Sequence, residues 1–171
     1  YYDAMIANWF NNKLKIKFPE RKTLFGRKLK KLRYGENPHQ ESSIYVSDYN
    51  DRELGFTQLH GKELSYNNYN DIFSSLEILE TIKGDSSTVI TKHANPCGVS
   101  KNKNSLISFK NAFACDPISA FGGAIACNYK LNKKIALEMS KNFLEVVLAK
   151  GFDKEALDIL KKKKNLRIID I

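Results

Sequence analysis

Lys92 and His93 stand side by side after a short β-branched run, Ser87-Thr88-Val89-Ile90-Thr91. They open the segment Lys92-His93-Ala94-Asn95-Pro96-Cys97-Gly98. These two residue types suit acid–base work. An unperturbed histidine titrates at about 6.5, and a neighbouring ammonium favours the neutral imidazole that can accept a proton. The same ammonium can stabilise an oxyanion. Asn95-Pro96 and Gly98 are residue types of a tight turn. A plain strand-to-helix turn with a surface lysine and a packing histidine is the blander explanation of the same residues.

Three other segments are dense in groups that could meet a ligand. In Arg33-Tyr34-Gly35-Glu36-Asn37-Pro38-His39-Gln40, the arginine could grip a phosphate in bidentate fashion and the tyrosine could stack on a heterocycle. In Asp116-Pro117-Ile118-Ser119-Ala120-Phe121-Gly122-Gly123, paired glycines ahead of a strand allow close approach of the backbone. Gly61-Lys62-Glu63-Leu64-Ser65-Tyr66-Asn67-Asn68-Tyr69-Asn70-Asp71 leads into a helix, where Asn and Asp are good caps. A connecting loop, a bulged turn and a polar helix entry, respectively, account for the same residues without any ligand. None of the segments matches a phosphate loop or a dinucleotide fingerprint.

Such groups need elements to hold them. Apolar residues over 2–12 suggest a helix without one clean face, and the Phe18-Pro19 step ends any helix there. Residues 24–32 are strand-like, 33–40 form a loop, and Ile44-Tyr45-Val46 fits a short strand. From residue 68 onward Ile72, Leu76, Leu79 and Ile82 recur at helical spacing, with Gly84 as a stop. The run 87–91 reads as a strand. Leu106 to Phe113 predicts a helix capped by Asn104 and broken by Asp116-Pro117. Strands are expected at 124–127 and 143–149, helices at 135–139 and 156–160, and a last strand near Leu166. This alternation argues for an α/β domain with helices covering a sheet. Right-handed crossovers would make much of that sheet parallel, with ligands at the carboxyl ends of its strands.

Composition sets bounds. The chain has 171 residues, 42% hydrophobic and 27% charged, which is enough for one ordinary domain with a core. No apolar run approaches the roughly 20 residues of a membrane span. Cysteines at 97, 115 and 127 fit no disulfide framework or zinc pattern, so reduced thiols in a cytoplasmic protein are expected. The net charge of +9 sits largely in lysine-rich stretches at 28–31, 101–103 and 161–164. The last is expected at the end of an amphipathic helix, where cations suit the dipole. Solvated surface is the simpler account of this charge, and an anion-attracting field the other. The start, Tyr1-Tyr2-Asp3-Ala4, has no basic signal region, and Leu166 to Ile171 reads like a strand in mid-course. A fragment of a longer chain is expected.

Taken together and in order, the four segments closely resemble the AICAR transformylase region of the bifunctional AICAR transformylase/IMP cyclohydrolase family. Tyr2-Asp3-Ala4 and Asn8-Trp9-Phe10 resemble the family's entry into that region. The resemblance covers nearly the whole chain. It implies a cytidine-deaminase-like α/β fold, duplicated in the full transformylase. Residues 1–23 would be a lead-in helix and linker, and 24–171 the first copy. The cyclohydrolase domain would lie upstream and the second copy downstream.

The resemblance also implies a reaction: transfer of a formyl group from 10-formyltetrahydrofolate to the 5-amino group of AICAR, in the making of IMP. That amine is a weak nucleophile, because its lone pair is delocalised, so a base beside it is needed. His93 matches the family's histidine for that task. Lys92 matches its lysine, which would stabilise the oxyanion or help protonate the leaving folate nitrogen. Arg33 and Tyr34 match positions that hold the nucleotide, and Asn95 falls in the Lys92 motif. Phe121 and Gly122 match a segment against the AICAR base, and Glu145 aligns with an acidic position at the ligand. Lys150 departs from the pattern, since the family usually places proline there. The family's dimers build active sites from both subunits, so this chain alone is expected to be inactive or nearly so.

Two other classes fit less well. A zinc nucleobase deaminase needs His-x-Glu followed by Pro-Cys-x-x-Cys. Here Asn95 replaces the glutamate and Ser100 the second cysteine, so no zinc is expected. A non-catalytic anion- or nucleic-acid-binding module would explain the charge, but the lysines are not interleaved with aromatics. No nucleic-acid or membrane partner is expected. A degenerate relative acting only in assembly is opposed by the intact Lys92-His93 pair.

Overall fold

The computed structural model describes residues 1–47 and 54–171. Its elements in chain order are α1 (Tyr2–Lys13), β1 (Arg27–Lys31), β2 (Ser43–Val46), β3 (Thr57–His60), α2 (Tyr66–Thr81), β4 (Ser86–Lys92), β5 (Asn95–Asn102), α3 (Ser105–Cys115), β6 (Ala124–Cys127), α4 (Lys133–Ser140), β7 (Val146–Ala149), α5 (Lys154–Leu160) and β8 (Arg167–Asp170). Strands β1 and β2 form a two-stranded ribbon, and the other six form one sheet in the order β3-β8-β7-β6-β4-β5.

Helices cover both faces of that sheet because its central strands are apolar on both sides. Within β6, Ala124 and Ala126 face one core with Val146, Leu148 and Ile169, and this core takes Tyr69, Ile72 and Leu79 of α2. The intervening Ile125 and Cys127, with Val147, Ala149 and Ile168, face the other. That second core takes Phe109 and Ala112 of α3, Ile135, Ala136 and Met139 of α4, and Ala156 and Leu160 of α5. The period of two in the strands therefore sorts the residues into two layers. Helix α1 joins neither core and buries no residue, as its lack of one clean apolar face predicts.

The expected α/β class holds, but the sheet is mixed rather than largely parallel. Among the described strands, only β6, β7 and β8 run parallel. Strand β4 is antiparallel to both β5 and β6, and β3 is antiparallel to β8. The reason lies at residues 92–95. The predicted tight turn is the two-residue tip of a hairpin, not a strand-to-helix connection, with Lys92 paired to Asn95. Residues 95–102 continue as β5. Gly98 lets that strand lie against α3, where a Cβ would collide with the Ala112 carbonyl.

Other boundaries shift. The strand expected at 24–32 spans 27–31, and the one expected at 143–149 begins only at Val146. Helix α2 ends at Thr81, before Gly84, and α5 ends before the lysines at 161–164. Strand β3 was not anticipated, since Thr57-Gln58-Leu59-His60 lacks clear alternation. Asn104 caps α3 as predicted, its side chain accepting from the Leu106 and Ile107 amides. Helix α2 is capped by Ser65, in a capping box closed by Asn68. Among the described residues, no helix is long and apolar enough to cross a membrane.

Candidate active site

One row of the sheet explains why distant segments meet. Thr91 pairs with Ala124, Ala124 with Val146, and Val146 with Arg167. The residues at that edge are therefore Lys92, Gly123, Glu145 and Arg167. This edge is the carboxyl end of β4 but the amino end of the parallel strands β6, β7 and β8. The candidate residues Lys92 and His93 thus follow the carboxyl end of their own strand, as expected, but stand beside the amino ends of the parallel strands. The hairpin made by β4 and β5 brings Lys92 and His93 to the opposite end from the one a parallel sheet would favour.

Lys92 is the last residue of β4 and is half-buried. Its ammonium donates a 2.8 Å hydrogen bond to the carbonyl of Phe121, which ties the hairpin tip to the segment before β6. His93 and Ala94 form the tip, with φ of +54° and +59°. Both central residues at positive φ are the signature of a type I′ turn, whose hand suits a two-residue hairpin. His93 is exposed there. Asn95 is also exposed, and its amide donates to the His93 carbonyl over 2.8 Å. Lys92, His93, Asn95, Pro96 and Cys97 line a cleft of about 390 Å³ with Asp116 and Ser119 from the loop after α3.

That loop is internally tied. The Ser119 amide donates to the Asp116 carboxylate over 2.9 Å, and hydrogen bonding from Ser119 holds this carboxyl below its ordinary range. Phe121 is exposed, its ring 5.0 Å from that of Phe143. Gly122 has φ +74° and donates to the Phe143 carbonyl. At Gly123 a Cβ would lie 2.8 Å from the Thr91 carbonyl oxygen. The paired glycines thus serve close packing against β4 as well as the exposure of Phe121.

Arg33 and Tyr34 lie in a second cleft, lined also by Lys62, Glu63, Leu64, Ser65 and Arg167. The Arg33 guanidinium is 5.7 Å from the Tyr34 ring centroid. Glu145 stands beside Arg167 of this cleft. Its carboxylate accepts from Asn68 at 3.1 Å and stands 3.6 Å from Arg167. The Arg167 Nε is buried and has no hydrogen-bond partner among the described residues, although its terminal nitrogen reaches the Glu63 carbonyl at 3.5 Å.

Asp71 closes the gap between Glu145 and His93. Its carboxylate accepts the Ala94 amide at 2.8 Å, and its backbone carbonyl accepts the Thr91 hydroxyl at 3.1 Å. Burial pushes its carboxyl above the ordinary range, partly offset by the Ala94 amide and the nearby His93. The structure therefore brings Lys92, His93, Asn95, Phe121 and Gly122 together, and reaches Arg33 and Tyr34 through Asp71, Glu145 and Arg167.

Asn68, Asp71 and Arg167 were not singled out from the sequence as site residues. Asn68 carried a usable signal. It falls on the α2 stripe of Ile72 and Leu79, is buried, and is polar where the helical period calls for an apolar side chain. Asp71 and Arg167 carried none.

Among the described residues, no group of three His, Cys, Asp or Glu side chains could hold a metal ion. The three cysteines are free. Among the described residues, a third cleft, between α1 and the β1–β2 ribbon, offers apolar and hydroxyl groups but no carboxylate, imidazole or lysine.

A family model described as AICARFT/IMPCHase bienzyme matches residues 1–171. The chain is 42% identical over 172 residues to the bifunctional purine biosynthesis protein PurH of Oceanobacillus iheyensis, covering 99% of this chain and 34% of that protein. It is 43% identical to the protein of that name from Bradyrhizobium diazoefficiens, over 98% of this chain and 32% of the relative. For the one from Elusimicrobium minutum the identity is 46%, again over 98% of this chain and 32% of the relative. The chain spans about a third of the length of these curated relatives.

Proposed function

This chain belongs to the AICARFT/IMPCHase bienzyme family, and from that premise we propose that it supplies the AICAR side of a formyltransferase site in purine biosynthesis. Its relatives are named as bifunctional purine biosynthesis proteins. The observation that carries the choice of formyl transfer is the hairpin tip. It presents an ammonium and an imidazole together, at an open sheet edge, beside an exposed aromatic ring and two clefts.

In the proposed reaction the 5-amino nitrogen of AICAR attacks the formyl carbon of 10-formyltetrahydrofolate. A C–N bond forms and the carbonyl electrons move onto oxygen. His93 accepts the proton that the attacking amine sheds. The carbonyl then re-forms as the bond between the formyl carbon and the folate N10 breaks; Lys92 stabilises the oxyanion or helps protonate that nitrogen as it leaves. The bond from Lys92 to the Phe121 carbonyl is an acceptor that the ammonium could exchange for substrate oxygen. Arg33 and Tyr34 hold the nucleotide, Phe121 and Gly122 lie against its base, and Glu145 and Asn95 complete the polar wall.

The proposal extends to architecture. Residues 1–23 form a lead-in, in keeping with α1 standing outside both cores. Residues 24–171 form the first of two cytidine-deaminase-like copies, and the mixed, helix-covered sheet is compatible with that fold. The protein acts in the cytoplasm as a homodimer whose sites draw on both subunits, with AICAR and the folate as its small-molecule partners.

The test is formyl transfer by the full-length protein, with Lys92→Ala and His93→Ala alongside. Losses of at least about 100-fold in kcat, with the fold unchanged, are expected of acid–base groups. Near-normal turnover by either variant would sink the assignment.

A further inference from the structure

The turn that carries His93 is held in a conformation its residues do not favour. An L-residue in the left-handed region is strained by its Cβ against the following carbonyl, and here two neighbours share it, neither of them glycine nor asparagine. His93 has φ +54° and Ala94 φ +59°. A two-residue hairpin loop of this type is normally Asn-Gly or Asp-Gly. Something outside the hairpin must supply what the loop residues lack.

That something is on α2. The Asp71 carboxylate takes the Ala94 amide at 2.8 Å, within the turn itself. The Asp71 carbonyl takes the Thr91 hydroxyl at 3.1 Å, just before the turn. One residue thus grips the hairpin on both sides of Lys92 and His93. A backbone amide bound to a carboxylate is also a stronger bond than one bound to a neutral acceptor.

Resting on the formyl-transfer reading above, we propose that Asp71 is a positioning residue: it clamps the left-handed turn and so aims the Lys92 and His93 side chains at the reacting atoms. Asp71 itself touches no substrate in this scheme. The ionisable groups facing its carboxyl are His93 on the turn, Glu145 ahead of β7 and Cys97 on β5. Burial of the carboxylate works against its ionised form, which the Ala94 amide and His93 partly offset.

Two variants separate the possibilities. Asp71→Ala removes the acceptor, and Asp71→Asn keeps an acceptor oxygen at the same reach. Hydrogen exchange of the Ala94 amide, followed by NMR, reads the clamp in this chain whatever the protein catalyses. The Ala94 amide is expected to lose its protection in Asp71→Ala and to keep most of it in Asp71→Asn. In the full-length protein, formyl transfer by Asp71→Ala is expected to fall up to about 100-fold in kcat, with KM changed far less, as a misplaced catalytic group requires. Asp71→Asn is expected to recover most of that loss.

Unchanged Ala94 protection in Asp71→Ala would overturn the proposal. So would a loss of kcat in Asp71→Ala that Asp71→Asn fails to relieve despite a protected turn, because the clamp would then not be what the rate depends on. Absence of formyl transfer in the unsubstituted protein would instead strike the functional reading, and the exchange measurement would still decide whether Asp71 sets the turn.

Discussion

Asn68 donates a 3.1 Å hydrogen bond to the carboxylate of Glu145, although 77 positions separate them in the chain. The bond fastens the first turn of α2 to the amino end of β7. Asn68 also closes the capping box with Ser65. The same buried side chain therefore starts a helix and orients a carboxylate that stands beside Arg167. Asn68→Ala removes both contacts. It should lower unfolding free energy by about 1–2 kcal/mol, the combined scale of a lost cap and a lost buried hydrogen bond. Urea denaturation measures this, and a cost near zero would mean that neither contact supports the fold.

Ala94→Gly should stabilise the protein. At φ +59° the alanine pays for its Cβ, and glycine removes a penalty of roughly 1 kcal/mol. The expected outcome is a higher melting temperature, with the Asp71 contact intact because it uses the backbone amide. A lower melting temperature would show that the turn carries no strain.

Thiol reactivity should be graded by burial. Cys115 is exposed and Cys127 fully buried, and burial pushes the Cys127 thiol up to about 12. Since the thiolate is the reactive form, Cys127 should resist a disulfide reagent at pH 8 until denaturant is added. Cys115 should react at once. Cys97, half-buried and also raised by burial, should be slower than Cys115. Prompt reaction at all three in the folded protein would contradict this order.

The Asp71 carboxyl predicts a pH dependence of stability. Its folded value is raised, chiefly by burial, so the folded state binds this proton more tightly than the unfolded chain does. The resulting stabilisation is fully present below the ordinary carboxylate range and is lost as pH rises through the raised value. Asp71→Asn removes this dependence. Its stability relative to the unsubstituted protein should therefore improve between the acid range and neutrality, as denaturation at several pH values would register. A difference independent of pH would refute it.

Several features were legible in the chain because they are local. The 3.6-residue recurrence of Ile72, Leu76 and Leu79, the Asn104 cap and the break at Asp116-Pro117 each act within one turn of their neighbours. The two-sided apolar strand at 124–127 is local in the same sense, as is the one expected at 143–149, of which 146–149 is the strand. The order of four motifs was enough for the family to be recognised, and the match over residues 1–171 agrees.

Strand direction was not local. Asn95-Pro96-Cys97-Gly98 has turn-like residues, yet it continues as β5 because Gly98 can lie against α3 and the strand pairs along all of β4. With that hairpin formed, β4 runs against β6, and Lys92 and His93 fall beside the amino ends of the parallel strands.

What this sequence determined by itself was therefore its layers, its helix signals and the presence of an ammonium and an imidazole side by side. Periodicity and capping depend on neighbours a few residues away, and residue type is chemistry in its own right. Only the tertiary structure decided which groups face that pair. The row through Thr91, Ala124, Val146 and Arg167 sets them on one edge, and the reach of Asp71 from α2 to the Ala94 amide spans 23 positions. Contacts of that separation are fixed by sheet register and helix packing, which no short stretch of chain encodes.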